Sequence, residues 1–164
     1  MRPETKCIQS GYRPENGQPR TLPIYQSTTY SYDSAAELGK LFDLEAAGHM
    51  YTRISNPTCD AVENKIADLE GGVGAMLTSS GQAASFMAIF NICCAGQNFV
   101  CMNNIYGGTI NLFSVTLARM GIEVRYARDD MSDAEFEALF DDNTRLVFGE
   151  TVANPALTVL DIER

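Results

Sequence analysis

The sequence predicts an α/β fold with a mostly parallel sheet, and two observations lead to this prediction. From residue 75 onward, short apolar runs alternate with segments of helical periodicity, which is the rhythm of β-α-β units. The 164 residues are 45% hydrophobic, which is enough for one sizeable core. The chain should therefore form one domain or most of one.

An irregular arm and a first helix are predicted ahead of the sheet. Residues 1–23 are rich in Pro, Gly, Arg and Gln, which is typical of an irregular segment rather than a packed element. The helix is predicted over 34–47, because Ser34 and Glu37 have the spacing of a capping box and apolar residues follow along one side. It should end near Gly48.

A second helix is indicated by signals at both of its ends. Asn56 is a good N-cap residue, and Pro57 suits the first helical position, where no backbone N–H is needed. Apolar residues then recur at helical spacing until Gly71 and Gly72, which are stop signals. The sequence therefore predicts a helix that begins at Pro57 and ends before Gly71.

The sheet is predicted to contain four parallel strands joined by three helical crossovers. The strands correspond to residues 75–78, 98–102, 122–126 and 145–148. The crossovers correspond to residues 82–94, residues 110–120 and a helix opened by Ser132 and Glu135. Because helix 82–94 is apolar on almost every side, we expect it to be buried centrally, with Cys93 and Cys94 in the core.

Charge and cysteine content exclude several classes of protein. The net charge of −9, from 21 acidic and 12 basic residues, disfavours binding to nucleic acid or anionic membranes. The five cysteines show no C-x-x-C spacing, and His49 is the sole histidine and is predicted to be a solvated loop residue, so neither a disulfide framework nor a metal site is expected. A leader pattern and an apolar run of about 18 residues are also missing, which predicts a soluble cytoplasmic protein.

The first candidate site is a strand end that turns into the apolar helix. In open α/β sheets, ligands bind beyond the carboxyl ends of the strands, where helix N-termini point. The Ser80 hydroxyl and the backbone N–H groups of Gly81 and Gln82 could bind a phosphate dianion there. An ordinary serine N-cap with a tight turn would give the same pattern. Both interpretations stay open for this segment taken alone.

Three further segments carry candidate ligand-binding side chains. Tyr51 and Arg53 fall on one face if the chain is extended there, and a phenol beside a guanidinium suits phosphate oxygens. Tyr106 follows a strand and could stack on a flat ring or move protons. Glu150 and Asn154 follow the last strand and could orient a polar aromatic ligand. Each could instead be an ordinary surface or loop residue, but all lie at or near the ligand edge of the sheet.

Taken together, these segments resemble a known family. The match begins with residues 23–30, PIYQSTTY, and all four candidate segments follow in the family's order. The chain resembles the Cys/Met metabolism group of enzymes that use pyridoxal 5'-phosphate (PLP), which includes cystathionine synthases and lyases, methionine γ-lyase and homoserine sulfhydrylases. The resemblance covers essentially the whole chain. It implies the PLP-dependent aminotransferase-like fold (fold type I), a three-layer α/β sandwich with a mostly parallel sheet, here incomplete.

The resemblance also implies a role for each site residue and an oligomer. Ser80, Gly81 and Gln82 would hold the cofactor phosphate, and Tyr106 would stack on the ring and assist the leaving group as the catalytic residue. Asn154 would lie beside the ring's phenolic oxygen, with Glu150 as a supporting acid. Residues 1–56 would form an arm and first helix that contact a partner subunit, and 57–164 the first part of the PLP-binding domain. Within this scheme Tyr51 and Arg53 reach the cofactor of the neighbouring subunit, in a dimer or tetramer.

Three segments resemble O-acetylhomoserine sulfhydrylases in particular: residues 32–38, 80–83 and 106–113. In the full-length protein this implies replacement of acetate on O-acetyl-L-homoserine by sulfide, giving L-homocysteine for methionine and cysteine biosynthesis. In the family, the cofactor-binding lysine, the aspartate at the pyridine nitrogen and the carboxyl-terminal domain all come after the position of Arg164. The resemblance therefore identifies the chain as an amino-terminal fragment, expected to be inactive alone.

The sequence leaves other functions open. Within the family, the protein could be a methionine or cystathionine γ-lyase or a cystathionine γ-synthase, although methionine γ-lyases carry a cysteine where this chain has Gly108. Outside it, the chain could be a non-catalytic Rossmann-like binding module, although no G-x-G-x-x-G follows a strand. It could also be an assembly fragment whose exposed apolar faces drive association.

Overall fold

The computed structural model describes residues 1–163. The chain divides into two compact units, Met1–Leu77 and Thr78–Arg164. Among the described residues, the first unit contains three helices and the second contains a three-stranded parallel sheet with its helices. The predicted domain division between residues 56 and 57 concerns the whole protein and stays a prediction.

Helix α1 (Pro3–Gln9) lies inside the segment predicted to be an irregular arm, so that prediction is wrong for these residues. Its proline is in the first turn, where the missing N–H breaks no helical bond. The Lys6 ammonium pairs with Asp68 at 3.0 Å, and Lys65 Nζ donates to the carbonyl oxygen of Cys7 at 3.0 Å. Contacts with a distant helix hold α1, and local composition could not reveal them.

Helix α2 (Ala35–Phe42) is shorter than predicted. Ser34 caps it as expected, because its side chain accepts a hydrogen bond from a first-turn backbone N–H. The helix stops at Phe42 because Leu44 adopts a left-handed backbone with φ of 59°. The Glu45 N–H then turns back to the carbonyl oxygen of Lys40 at 2.8 Å, which satisfies the end of the helix.

Helix α3 (Pro57–Glu70) has the predicted bounds. The Asn56 side chain accepts the Thr58 N–H at 2.9 Å, so the predicted N-cap is confirmed. Gly71 ends the helix with a left-handed φ of 70°, a conformation in which glycine avoids the steric cost of a Cβ. The residues at the two ends of α3 were therefore sufficient to predict its bounds.

His49 lies in the loop between α2 and α3, where its side chain is only 29% exposed. Its Nδ1 lies 3.2 Å from Ser55 Oγ and 3.7 Å from the Asp60 carboxylate. The expected loop position is confirmed, and the side chain is only partly solvated. Because both partners approach the same ring nitrogen, the three side chains do not form a serine-histidine-carboxylate relay.

The sheet consists of β1 (Asn98–Met102), β2 (Glu123–Ala127) and β3 (Thr144–Phe148), in the order β2-β1-β3. Both pairings are parallel, and β1 is paired residue for residue with β2. All five β1 residues are buried, which is typical of a central strand covered on both faces. The strand predictions for these three segments are confirmed within one residue at each end.

The fourth predicted strand, residues 75–78, is not a strand in the part of the chain that the structure describes. A strand needs a neighbour to complete its backbone hydrogen bonds. The Leu77 N–H instead donates to the Glu63 carboxylate at 2.7 Å, and Met76 is 64% exposed. A short apolar run indicated a strand, but no pairing partner lies among the described residues.

Side chains alternate between the two faces of β1 and define three layers. Phe99 and Cys101 pack on one face, in a cluster that also contains residues of the crossovers before and after β1. Val100 and Met102 pack on the other face with Phe136 and Leu160, among others. The helices thus cover both faces of the sheet, as the predicted three-layer fold requires.

Helix α4 (Gly81–Ile92) covers the first face but is less buried than predicted. Its only buried residue is Ile89, whereas Phe90 and Ile92 are 51% and 50% exposed. Cys93 is buried as expected, but Cys94 is exposed, which corrects the prediction for that residue. Apolar side chains lie on more sides of α4 than the described residues cover.

The crossover after β1 is one continuous helical segment of mixed type. Helix α5 (Gly107–Asn111) runs into a π-helical stretch, Leu112–Leu117, so the predicted helix 110–120 begins earlier and is partly of the π type, with i→i+5 hydrogen bonds. The crossover after β2 contains α6 (Asp133–Glu137), whose capping box between Ser132 and Glu135 is present in both directions.

Polar residues join the strands at their amino ends, opposite the expected ligand edge. The Asn98 amide donates to Asp141 at 2.8 Å and its oxygen accepts from Thr144 at 2.6 Å. The hydrogen bond from Asn98, followed by that from Arg125 at 2.7 Å, holds the pKa of the Asp141 carboxyl well below its usual range. This network fixes the start of β1 against the start of β3.

Candidate functional site

The loops that follow β1 and β3 meet at the carboxyl edge of the sheet. These two strands are neighbours and run in parallel, so their ends lie side by side. Glu150, just beyond β3, joins the loops: its Oε1 accepts the Tyr106 N–H and its Oε2 accepts the Asn154 N–H, each at 3.0 Å. Three predicted site residues are therefore brought together by one carboxylate.

The amino terminus of α4 faces the solvent with its first turn open. Ser80 has an extended backbone, and its Oγ accepts the Ala83 N–H at 3.1 Å, so the residue is a true N-cap. A Cβ placed on Gly81 would meet no atom within 4 Å. The first-turn N–H groups of any helix lack carbonyl partners within it and carry partial positive charge. The cap and the anion-binding interpretation are therefore compatible.

Gln82 connects this helix end to α5. Its Nε2 donates to Thr109 Oγ1 at 3.1 Å, and Thr109 is only 4% exposed. The side chain of Gln82 is thus engaged with protein, which leaves its backbone N–H as the group available to an anion. Thr109 was not singled out from the sequence, although a hydroxyl residue directly after two glycines at a strand end was the available signal.

Tyr106 is the N-cap residue of α5 and is 49% exposed at this edge. Its carbonyl oxygen accepts the Thr109 N–H at 2.9 Å, which anchors the backbone. A Cβ on Gly108 would collide with the Tyr106 ring, whose Cζ would lie 3.1 Å away. Glycine at position 108 therefore leaves the space that the tyrosine ring occupies.

The segment that carries Asn154 folds back on itself. Val152 and Val159 form an isolated antiparallel bridge, and the Ala153 N–H donates to the carbonyl oxygen of Thr158 at 2.9 Å. The peptide bond between Asn154 and Pro155 is cis. Asn154 itself is exposed.

A buried thiol lies behind this edge. Burial raises the pKa of the Cys101 thiol to about 12, and the negative charge of Glu150 adds to the rise. The thiol therefore stays protonated at neutral pH and is no nucleophile. Cys101 is therefore not a candidate catalytic residue at this edge.

Tyr51 and Arg53 belong to the first unit, on a turn rather than the extended chain that was expected. The Arg53 guanidinium carbon lies 5.2 Å from the centre of the Tyr51 ring, within range of a cation–π contact. Asn56, which is buried, anchors this turn, because its Nδ2 lies 3.2 Å from Thr52 Oγ1. Their predicted place near a neighbouring subunit's cofactor stays a prediction.

The first unit also has an open cavity of about 1090 Å³ between α1 and the following arm. Its lining includes Lys6, Arg13, Arg20 and Asp68, and none of the predicted site residues belongs to it.

Among the described residues, no helix is both long and apolar enough to cross a bilayer.

Comparisons with known proteins identify the class of enzyme to which this fold and site belong. The profile of the family described as Cys/Met metabolism PLP-dependent enzyme matches residues 4–164. O-acetyl-L-homoserine sulfhydrylase 1 of Thermus thermophilus is 45% identical over 99% of this chain and 39% of its own length. The O-acetyl-L-homoserine sulfhydrylase of Corynebacterium glutamicum is 46% identical over 97% of this chain and 37% of its own length.

Solved structures agree with the sequence comparison. An O-acetylhomoserine (thiol)-lyase structure from Campylobacter jejuni, described as carrying a pyridoxyl-lysine phosphate group, superposes with a TM-score of 0.88 at 36% identity. The structure of metB from Corynebacterium glutamicum gives a TM-score of 0.86 at 35% identity. Each comparison covers 99% of this chain and 40% of the other.

The chain belongs to the Cys/Met metabolism family of PLP-dependent enzymes. The predicted family, the fold and the cofactor are thereby confirmed. The chain spans about two fifths of the length of the relatives that it matches. The activity of the whole protein is therefore a matter for proposal.

The described residues fit the phosphorylated ring that this family uses. The open space at Gly81 and the capped first turn of α4 suit a phosphate dianion. The half-exposed ring of Tyr106 offers a flat surface at the same edge, and the exposed Asn154 amide a polar group. Gln82 donates a hydrogen bond to Thr109 and so links the amino end of α4 to α5, the helix that follows Tyr106.

Proposed function

We propose that the full-length protein replaces acetate on O-acetyl-L-homoserine with sulfide and so forms L-homocysteine. The observation that carries the proposal is the linkage of Tyr106, Glu150 and Asn154 at the carboxyl edge of the sheet, beside the open end of α4. The sulfhydrylases of Thermus thermophilus and Corynebacterium glutamicum, at 45% and 46% identity, support the choice of reaction. We further propose that the protein is a cytoplasmic homo-oligomer.

In this proposal, α4 binds the phosphate of the cofactor. The N–H groups of Gly81 and Gln82 donate to phosphate oxygens, and the Ser80 hydroxyl, whose lone pair already accepts from the helix, donates its proton to another. Arg53 and Tyr51 of a neighbouring subunit complete the phosphate site. Asn154 donates its side-chain amide to the phenolic oxygen of the ring and orients it.

Tyr106 is the proposed catalytic residue. Its ring stacks on the cofactor ring, and its phenol holds or delivers a proton at the ester oxygen as acetate departs. The bound cofactor supplies the electron sink that stabilises negative charge on the substrate carbon. Gly108 keeps the space that allows the tyrosine ring to lie at this edge.

The full-length protein provides the test. Mixed with PLP, it should show a visible absorbance band that borohydride bleaches, and with O-acetyl-L-homoserine and sulfide it should release homocysteine and acetate in equal amounts. The variant Tyr106→Phe keeps the ring but not the phenol, so it should keep the band and lose most of the turnover.

Other products would overturn the sulfhydrylase assignment. Release of ammonia and a 2-oxo acid would identify a γ-lyase, and formation of cystathionine from cysteine would identify a cystathionine γ-synthase. A protein with no visible band at saturating PLP would be a binding or assembly module instead.

A further inference from the structure

The carboxylate of Glu150 accepts two backbone hydrogen bonds from distant parts of the chain. Each oxygen accepts one backbone N–H, from Tyr106 on the loop after β1 and from Asn154 on the loop after β3, both at 3.0 Å. The two donors are separated in sequence by almost fifty residues, so no local structure would bring them together. The parallel pairing of β1 and β3 brings the two loops to one edge, and a single side chain then accepts both N–H groups.

The backbone just before Glu150 packs closely against neighbouring side chains. A Cβ on the preceding residue, Gly149, would lie 3.2 Å from the Met102 side chain and 3.0 Å from that of Leu160, so the chain passes close to the end of β1. Phe148 is paired with Cys101 in the sheet. The carboxylate is therefore presented from a rigid strand end rather than from a free loop.

We propose that Glu150 is a positioning residue that acts through Tyr106 and Asn154 rather than by touching the cofactor. It sets the distance and orientation of the tyrosine that stacks on the ring relative to the amide that holds the ring's phenolic oxygen. This inference rests on the proposed function. It differs from the family-based expectation of Glu150 as a supporting acid near the ring, because each carboxylate oxygen already accepts a backbone N–H.

The variant Glu150→Gln separates these roles in the full-length enzyme. A glutamine side chain has one acceptor oxygen and one NH₂ donor, so it can hold only one of the two N–H groups and opposes the other. We expect kcat to fall on the order of 10- to 100-fold through misplacement of the tyrosine, with a smaller change in KM. The visible band of the bound cofactor should shift in wavelength, and its binding affinity should weaken in a PLP titration.

Glu137→Gln is the matched control, because it removes the same charge from an exposed position on α6. Its kcat, band and thermal midpoint should equal those of the wild type. A purely structural role of Glu150 would lower the thermal midpoint of Glu150→Gln but leave the band and the kcat of the folded fraction unchanged, and that result would overturn the inference.

A double variant tests whether Glu150 acts through Asn154. Because the proposed action on the amide needs the amide, Glu150→Gln should cost less in an Asn154→Ala background than in the wild type. If the fold-losses in kcat of the two single variants simply multiplied in the double variant, the proposal would be contradicted. A wild-type protein with no cofactor band would instead defeat the proposed function itself, so the two failures are distinguishable.

Discussion

At the scale of single residues, Gly108 decides where the ring of Tyr106 can lie. The collision that any side chain at 108 would cause involves the near edge of the ring, including Cζ at 3.1 Å. Gly107, its neighbour, has no atom within 4 Å of the same added carbon. Of the two adjacent glycines, Gly108 is required by this contact and Gly107 is not, a distinction that sequence cannot make.

The substitution Gly108→Ala should displace the Tyr106 ring and impair turnover. If the ring stacks on the cofactor as proposed, we expect kcat of the full-length enzyme to fall by about 10- to 100-fold. Steady-state kinetics with O-acetyl-L-homoserine and sulfide would measure the change. Gly107→Ala places the same methyl group in open space and should cost clearly less; equal losses in the two variants would contradict the steric argument.

At the scale of the elements, the amino terminus of α4 has two functions that share one side chain. Ser80 stabilises the helix by accepting the Ala83 N–H at 3.1 Å, and in the proposed function it also donates to a phosphate. Replacement by alanine would remove both at once, with about 1 kcal/mol lost from the cap alone. Alanine is therefore a poor probe of the cofactor role.

The variant Ser80→Asp separates helix capping from anion binding. Aspartate is as good an N-cap as serine and its charge suits the helix end, so the free energy of unfolding should be kept. The same charge repels a phosphate dianion, and we expect PLP affinity to fall by about tenfold or more. Urea unfolding and a PLP titration of the full-length protein would measure the two effects.

Ser80→Asn is the neutral comparison, since it also caps a helix and carries no charge. It should retain more PLP affinity than Ser80→Asp. If the aspartate variant bound PLP as tightly as the wild type, the phosphate would have to lie elsewhere.

The elements also show which sequence signals were sufficient. The bounds of α3 and of β1 were predicted correctly, because Asn56 and Gly71 are strong local boundary signals and residues 98–102 form an apolar run. The end of α2 was not predicted, because it depends on the left-handed backbone of Leu44. Leucine rarely adopts this conformation, so the residue type gives no signal for it. Residues 75–78 were assigned to a strand that no described neighbour completes.

At the scale of the whole molecule, the proposal requires two copies of the chain. Ser80 and Arg53 lie in different compact units, and in the proposed function Arg53 serves the active site of the neighbouring subunit. Because a symmetric dimer exchanges the same contacts in both directions, each active site would then contain residues from two chains.

A mixed dimer tests this arrangement. In a heterodimer of Arg53→Ala and Ser80→Asp subunits, one site would contain both substitutions and the other neither, so activity should be about half that of the wild-type dimer. The heterodimer can be isolated with two different affinity tags and assayed for homocysteine formation, with each homodimeric variant as a control. If Arg53 acted within its own subunit, each site would carry one substitution and the heterodimer would be as inactive as the homodimers.

The sequence by itself determined the class of fold, the family and the residues to consider. Hydrophobic periodicity, caps and turn residues are local properties, and the order of four short motifs along the chain is specific to the family. Ser80, Tyr106, Glu150 and Asn154 were all chosen on these grounds, because each follows a predicted strand or opens a helix.

Only the tertiary structure decided how these residues are connected. The parallel pairing of β1 with β3 brings two distant loops together, and Glu150 then bonds to both through backbone N–H groups that every sequence contains. The contact between Gly108 and the Tyr106 ring, and that between Gln82 and Thr109, likewise depend on side-chain placement. Sequence patterns record which side chains are present, whereas hydrogen bonds to the backbone depend on where the chain passes in space.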